Sequence, residues 1–112
     1  MRFLLFLCLA LHVEASEVSQ LLFSGNCITC HKENKTESAP SIAKVKEVYK
    51  NAFAKKEVFI SYMSKWVSNP NEDRSLMHNA IKKHGLMPHL GFDEDALKEI
   101  SAYIYETNFN KK

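Results

Sequence analysis

Two cysteines and a histidine have the spacing needed to attach a cofactor. The run Cys27-Ile28-Thr29-Cys30-His31 has the form C-x-x-C-H, which is the attachment signature of c-type haem. Two thiols three positions apart on a helical turn point to the same side, so each can add to one vinyl group of a porphyrin. His31 then lies beneath the ring and can offer an imidazole nitrogen to the iron. The motif predicts one covalently attached haem c, held by Cys27 and Cys30, with His31 as the proximal axial ligand.

Three other uses of a Cys-x-x-Cys pair compete with this interpretation. A disulfide between Cys27 and Cys30 would close a loop so short that it removes little entropy from the unfolded chain, and it would not explain His31. A thioredoxin-like redox pair is expected beside a strand–helix–strand pattern, which this sequence lacks. A zinc site needs about four ligands, and no second paired cluster completes one. Haem accounts best for the motif, although the sequence leaves these alternatives open.

The distal axial ligand decides what a haem of this kind can do. An open distal position binds or activates small ligands, whereas a Met/His ligand pair closes it and favours electron transfer. Met87 lies between Gly85 and Pro88, in a short strap that cannot continue a helix. Because a strap can present a thioether to a metal where a packed helix face cannot, we expect Met87 to be the distal ligand.

Four other side chains compete with Met87 for this position. His84 and His89 flank the strap and are the main rivals, since imidazole is a stronger iron ligand than a thioether. Met63 and Met77 lie beside apolar residues in predicted helices, where methionine usually fills the core. A distal position that stays open to small ligands is the remaining alternative.

The rest of the chain is predicted to be helical. It contains three glycines and three prolines, and no segment alternates between apolar and polar residues as a half-buried strand does. Helical spacing or capping signals mark five segments: Glu17 to about Gly25, Ser41 to about Lys55, Glu57 to Ser68, Asn69 to about His84, and a last helix behind the cap Asp93. A non-helical strap from Leu86 to Gly91 separates the last two. The expected fold class is all-α.

Local patterns make more specific predictions about these helices. Val18, Leu21 and Leu22 have i, i+3, i+4 spacing and predict the buried face of the first helix. Asn69-Pro70-Asn71-Glu72 predicts the start of the fourth helix, with a capping asparagine, proline at the first position and a glutamate that reaches back. Five aromatic residues are candidates to line the haem or to bind its propionates: Trp66, Tyr49, Tyr62, Tyr103 and Tyr105.

The N-terminus has the pattern of an export signal. Met1 and Arg2 form a short positive region, the nine residues from Phe3 to Leu11 are apolar, and Val13-Glu14-Ala15 offers small residues to a signal peptidase. About 20 apolar residues are needed to cross a membrane, so this run is too short to span one. We expect cleavage after Ala15, a periplasmic location and a single mature domain of residues 16–112. An uncleaved anchor is the alternative.

Composition limits the classes of partner. With 46% hydrophobic and 25% charged residues, the chain has an ordinary globular composition. Its formal net charge of +2 argues against a nucleic-acid partner, because such proteins usually carry a strongly basic patch. The function must therefore be inferred from the motifs.

The order of these features resembles that of a small class I monohaem cytochrome c. The shared features are the leader, an N-terminal helix, CxxCH, a proline shortly after it, a Met–Pro strap and a C-terminal aromatic helix, and they extend from about Glu17 to Glu106. The resemblance implies a helical domain wrapped around one covalent haem. It also implies Met87 as the distal ligand, and Pro40 as the residue whose carbonyl accepts the other N–H of the proximal imidazole.

The same resemblance implies a single-electron carrier that is not an enzyme and that serves exported or membrane-bound redox proteins. A haem subunit of a larger redox enzyme, or a sensor attached to one, is the alternative function. Lys82 and Lys83 precede the Met87 strap, which in such a fold borders the exposed haem edge, so we expect partners with acidic docking surfaces. Membrane contact is expected only through membrane-bound partners.

Overall fold

The computed structural model describes residues 15–110, and this part of the chain contains helices and no strand. The helices are α1 (Ala15–Asn26), α2 (Ile42–Ala52), α3 (Lys56–Ser68), α4 (His78–His84) and α5 (Glu94–Glu106), with a 3-10 turn at Glu72–Arg74. The predicted all-α class is confirmed. Among the described residues, no helix combines the length and apolarity that crossing a membrane requires. The predicted export signal lies almost wholly outside the described residues.

Local capping signals determine where several helices begin and end. α2 starts behind Ser41, whose hydroxyl accepts the backbone N–H of Lys44 at 3.2 Å. α5 starts behind the predicted cap Asp93, whose carboxylate accepts the N–H of Ala96 at 3.1 Å. α4 ends at Gly85, which has a φ of +88°, a conformation that glycine adopts without a steric penalty. These ends depend only on residues close in sequence.

α2 is shorter than its apolar pattern predicts. The helix ends at Ala52, whereas the pattern extends to about Lys55. Phe53 leaves the helix in an extended conformation, and its ring lies 4.8 Å from that of Tyr62 in α3, measured between centroids. We attribute the early end to this contact, because packing the ring against α3 turns the chain towards that helix.

The fourth helix does not begin at the Asn69–Glu72 pattern, so that prediction is wrong. Asn71 caps only the 3-10 turn, and α4 begins well after it. Two side chains of α3 donate hydrogen bonds to backbone carbonyls of this segment. The indole N–H of Trp66 donates to the carbonyl oxygen of Asn71 at 2.9 Å, and the hydroxyl of Tyr62 donates to the carbonyl oxygen of Arg74. We attribute the break to these bonds, because they offer the carbonyls an alternative to helical hydrogen bonding.

α5 lies at the centre of the helical packing and contacts α1, α2 and α3. The buried hydrophobic residues come from these four helices and from the C-terminal tail: Phe23, Ile42, Tyr49, Phe59, Met63, Leu97, Ile100, Ile104 and Phe109. Among the described helices, α4 forms no extensive interface with any other. α4 is therefore held by few contacts with the other described helices.

The buried face of α1 differs from the predicted one. Val18 and Leu21 are 46% and 74% exposed, whereas Phe23 is 1% exposed and Leu22 is half-buried. The Phe23 ring packs against the rings of Tyr103 and Phe109, with centroids 5.2 and 5.5 Å away. Burying this aromatic ring against two others stabilises the domain more than burying a leucine would, so α1 turns its Phe23 side towards α5.

Candidate cofactor cleft

The Cys27–His31 motif forms one more helical turn after α1. The N–H of Cys27 donates to the carbonyl of Phe23 at 2.9 Å, and the N–H of His31 donates to the carbonyl of Cys27 at 2.8 Å. This turn brings the side chains of Cys27, Cys30 and His31 to the same cleft. Cys27 and Cys30 form no disulfide with each other, so both sulfur atoms are available for attachment, and burial raises the pKa of the unattached Cys27 thiol to about 11.

A closed loop brings Pro40 next to His31. The first residues of α2 donate backbone hydrogen bonds of 2.8 Å to the carbonyls of Lys32 and Glu33, which closes the loop between the motif and α2. The Nδ1 atom of the half-buried His31 then lies 2.8 Å from the carbonyl oxygen of Pro40. This hydrogen bond restrains the rotation of the imidazole ring and makes the other ring nitrogen, Nε2, available to a metal.

The walls of the cleft are mainly apolar and come from every helix. α2, α3 and α5 contribute Ile42, Val45, Tyr49, Met63, Trp66, Val67, Leu97, Ile100, Ser101 and Ile104. α4 and the segment before it contribute Met77, Ala80, Ile81 and His84, and the strap contributes Leu86, Met87, Pro88, Leu90 and Phe92. The cleft is therefore lined both by the helices that form the core and by α4 and the strap.

The candidates for the distal ligand do not all reach this cleft. Met87 lines it, and so do three of its rivals, Met63, Met77 and His84. His89 is exposed on the strap and is not part of the lining. Because His89 does not line the cleft, it is no longer supported as the distal ligand, and Met87, Met63, Met77 and His84 remain candidates.

Only some of the aromatic residues predicted to line the haem reach the cleft. Trp66 and Tyr49 line the cleft, whereas Tyr62, Tyr103 and Tyr105 do not. The Trp66 indole N–H already donates to a backbone carbonyl. Trp66 therefore contributes an apolar ring surface to the cleft, and its hydrogen-bonding group holds the segment after α3.

Ser101 is a lining residue that the sequence analysis missed. It is 1% exposed, and its hydroxyl donates to the carbonyl of Leu97 at 2.7 Å. Its polar atom is thus satisfied inside α5, while its small size leaves room for a group in the cleft. Its position four residues after Leu97 and three before Ile104 could have indicated this role.

These residues fit a covalently attached haem. One mainly apolar cleft is lined by Cys27, Cys30, the strap Met87 and His31, whose imidazole is oriented by its hydrogen bond to Pro40. Within residues 15–110 there is no group of three or more His, Cys, Asp or Glu side chains that could hold a metal ion. The same residues contain no strand, which disfavours a thioredoxin-like unit.

Comparison with protein families matches residues 16–108 to the family described as Cytochrome c. The chain belongs to the cytochrome c family. This cytochrome therefore carries covalent haem c, and it is an electron carrier rather than an enzyme. No curated protein and no solved structure matches the chain. The resemblance expected from the sequence is confirmed at the level of the family.

Proposed function

We propose that this cytochrome carries single electrons between exported or membrane-bound redox proteins in the periplasm, after removal of residues 1–15. The observation that carries the proposal is the convergence of Cys27, Cys30, His31 and the strap Met87 on one apolar cleft. When bound, the haem supplies an iron that accepts and releases one electron. The protein's task is to hold that iron in one environment in both oxidation states.

In this proposal, Cys27 and Cys30 hold the cofactor and His31 is the proximal ligand. The Nδ1–H of His31 donates to Pro40, which restrains the ring, fixes its tautomer and raises its basicity as a ligand through Nε2. The closed loop before α2 makes this arrangement rigid. Little then has to rearrange when an electron arrives.

Met87 is the proposed distal ligand. Three observations support it: it lines the cleft, it is half-buried, and the strap that carries it is non-helical. Met63 is 4% exposed and packs in the core cluster of α3, where its side chain contributes to stability. A thioether favours the reduced iron, and the apolar walls exclude water, so both raise the reduction potential.

The ligand assignment can be tested with methionine variants of the haem-loaded protein. Met87→Ala is expected to abolish the far-red sulfur-to-iron band of the oxidised protein and to lower its potential. Met63→Ala and Met77→Ala are the controls, and they should keep the band. Met63→Ala should cost about 2–5 kcal/mol of stability because its side chain is buried. Loss of the band in Met77→Ala but not in Met87→Ala would overturn the assignment.

The charge distribution supports docking near the strap. Lys82 and Lys83 are exposed in the last turn of α4, and neither forms a hydrogen bond or ion pair with a described residue. Electrostatic steering by such a pair accelerates association with an acidic surface. Both lysines precede by a few residues the strap that lines the cleft.

The lysines of α2 and α3 are less available for docking. Three of them contact the end of α5 or the residue after it: Lys46 donates to the carbonyl of Thr107, Lys50 lies 4.6 Å from the ring centroid of Tyr105, and Lys56 pairs with Glu106. α5 has no basic residue in its own last turn, so these lysines complement its dipole. Their role is at least partly structural.

Charge reversal tests the docking surface. Changing Lys82 and Lys83 together to glutamate should slow electron exchange with an acidic redox protein at low salt, with the spectrum and potential nearly unchanged. The matched control changes Lys55 and Lys65 to glutamate, because both are also exposed and neither side chain forms a hydrogen bond or ion pair with a described residue. The difference should shrink with added salt, because charges are screened over about 8–10 Å near physiological ionic strength. Equal rates for wild type and the Lys82/Lys83 variant across the salt series would contradict this docking surface.

One observation bears on the alternative of a permanently docked subunit. Leu86 and Leu90 on the strap are 45% and 53% exposed. Two leucines fall short of the several hundred Å² of contiguous apolar surface that indicates a stable interface. They suit brief contacts at the mouth of the cleft, so we favour the mobile carrier.

A further inference from the structure

Among the described residues, His84 is the one histidine besides His31 that lines the cleft. It is the last residue of α4 and is half-buried. Its ring forms no hydrogen bond or ion pair with any other described residue. An imidazole in the wall of a cofactor cleft, with no protein group bound to its nitrogens, is available as a ligand.

His84 and Met87 line the same cleft and are three residues apart in the sequence. The cleft-facing residues Met77, Ala80, Ile81 and His84 follow i, i+3, i+4, i+7 spacing, so they form one face of α4 and the residue before it. His84 is the member of this face closest in sequence to the strap, three residues before Met87.

The segment that carries both residues is weakly held. α4 has seven residues, fewer than the about 12–15 that an isolated helix needs, and it forms no extensive interface with another described helix. From residue 86 to residue 92, no backbone group of the described chain makes a backbone hydrogen bond. Segments with few hydrogen bonds open at the lowest free-energy cost. Moving Met87 with the strap therefore breaks no backbone hydrogen bond of α1, α3 or α5.

Gly85 lies between the two residues and provides a hinge. Its φ of +88° and ψ of 167° fall in a region that is essentially restricted to glycine. No atom lies within 4 Å of the position that a side chain would occupy there. Because glycine has no Cβ atom, its backbone can adopt more conformations than that of other residues, so the end of α4 and the strap can move separately.

We infer that His84 is a second iron ligand of this cytochrome, which takes the distal position when Met87 leaves it. The inference rests on the proposed function, in which Met87 is the resting ligand. His89 and His78 are less suitable because both are exposed and neither lines the cleft. Met63 is held in the core, and its thioether binds iron less strongly than imidazole does.

Such an exchange would change the redox function of the protein. A Met/His pair raises the potential, and replacing the thioether with imidazole lowers it. Displacement of the strap would then convert a high-potential carrier into a low-potential form. The imidazole would also keep small ligands from the iron, which distinguishes this device from a gas sensor.

Three variants of the haem-loaded protein test the inference: Met87→Ala, Met87→Ala with His84→Ala, and Met87→Ala with His89→Ala. Met87→Ala should lose the sulfur-to-iron band but stay low-spin, and its reduced form should not take up carbon monoxide. Removing His84 as well should give a high-spin spectrum and a carbon monoxide complex. The His89 variant is the matched control and should behave like Met87→Ala alone.

Added imidazole shows whether the doubly substituted protein has kept its site. It should restore a low-spin spectrum to the Met87→Ala, His84→Ala variant, and far-ultraviolet circular dichroism should show retained helix. A Met87→Ala protein that loses the sulfur band and becomes high-spin would overturn the inference while leaving the proposed function intact. A low-spin spectrum after both residues are removed would also overturn it. Retention of the sulfur band in Met87→Ala would instead refute the Met87 assignment, and the inference with it.

Discussion

The orientation of α1 can be tested by removing one side chain from each of its faces. Phe23 is 1% exposed and Leu21 is 74% exposed, although helical spacing alone predicts Leu21 to be buried. If Phe23 faces the core, as in the structure, Phe23→Ala should destabilise the protein much more than Leu21→Ala. If Leu21 faced the core, as its spacing predicts, Leu21→Ala should be the more destabilising change. Neither residue lines the cofactor cleft, so neither change should alter the visible spectrum.

The expected magnitudes differ by several kcal/mol. Truncating a buried phenylalanine to alanine costs about 3–5 kcal/mol. Phe23 also contacts two other rings, and each such pair adds about 0.5–1.5 kcal/mol beyond the buried area, so we expect the upper part of this range. Full burial of a leucine is worth about 1.5–3 kcal/mol, and Leu21 retains about a quarter of that burial. Its loss should cost about 0.5 kcal/mol, partly offset by the better helix propensity of alanine.

The assay is denaturant unfolding of the haem-loaded proteins, followed by circular dichroism and by the fluorescence of Trp66. A shift in midpoint at constant slope reports a change in stability. Since small domains are stable by only about 5–15 kcal/mol, Phe23→Leu serves as a milder variant, with an expected loss of about 1–2 kcal/mol. Equal destabilisation by Leu21→Ala and Phe23→Ala would refute this orientation of α1.

Three further substitutions test a backbone conformation, an ion pair and a hydrogen bond of the fold. Gly85→Ala should cost about 1–3 kcal/mol in thermal unfolding through backbone strain alone, whereas Gly25→Ala, which has equal space around it, should be neutral or stabilising. The hydrogen bond to Lys56 lowers the pKa of Glu106 and raises that of Lys56. The extra stability of wild type over Glu106→Gln should therefore be complete between the ordinary pKa values of 4.5 and 10.5, and it should fall away below and above them in a pH series of unfolding experiments. A constant difference at all pH values would contradict this pair. Trp66→Phe should cost about 0.5–1.5 kcal/mol by removing its indole hydrogen bond, and an unchanged unfolding midpoint would show that this bond contributes nothing.

The sequence was sufficient where neighbouring residues decide the structure. The Cys27–His31 motif depends on a fixed spacing along one helical turn, so it predicted the cofactor directly. The cap at Asp93 and the helix end at Gly85 use groups within a few residues of each other, and both were predicted. The all-α class followed from the scarcity of helix breakers and of alternating patterns.

Other features depend on residues that are distant in the sequence. Spacing alone offered Leu21 as the buried side of α1, but Phe23 is buried because Tyr103 and Phe109 lie against it from the other end of the chain. A capping pattern offered a helix at Asn69, but side chains of α3 bind the carbonyls of that segment. A local sequence pattern therefore fails to predict the structure where a contact with a distant residue buries an aromatic ring or provides a hydrogen bond to a polar group.

Some features of the cleft could be predicted from the sequence, whereas others depend on the tertiary structure. The sequence by itself determined the attachment motif and placed Met87 on a non-helical strap. Only the tertiary structure decided that His84 shares the cleft with Met87 while His89 does not, and that Ser101 belongs to its wall. The reason is physical: covalent spacing and local hydrogen bonds are set within a few residues, whereas membership of a cleft depends on how helices far apart in the chain pack around it.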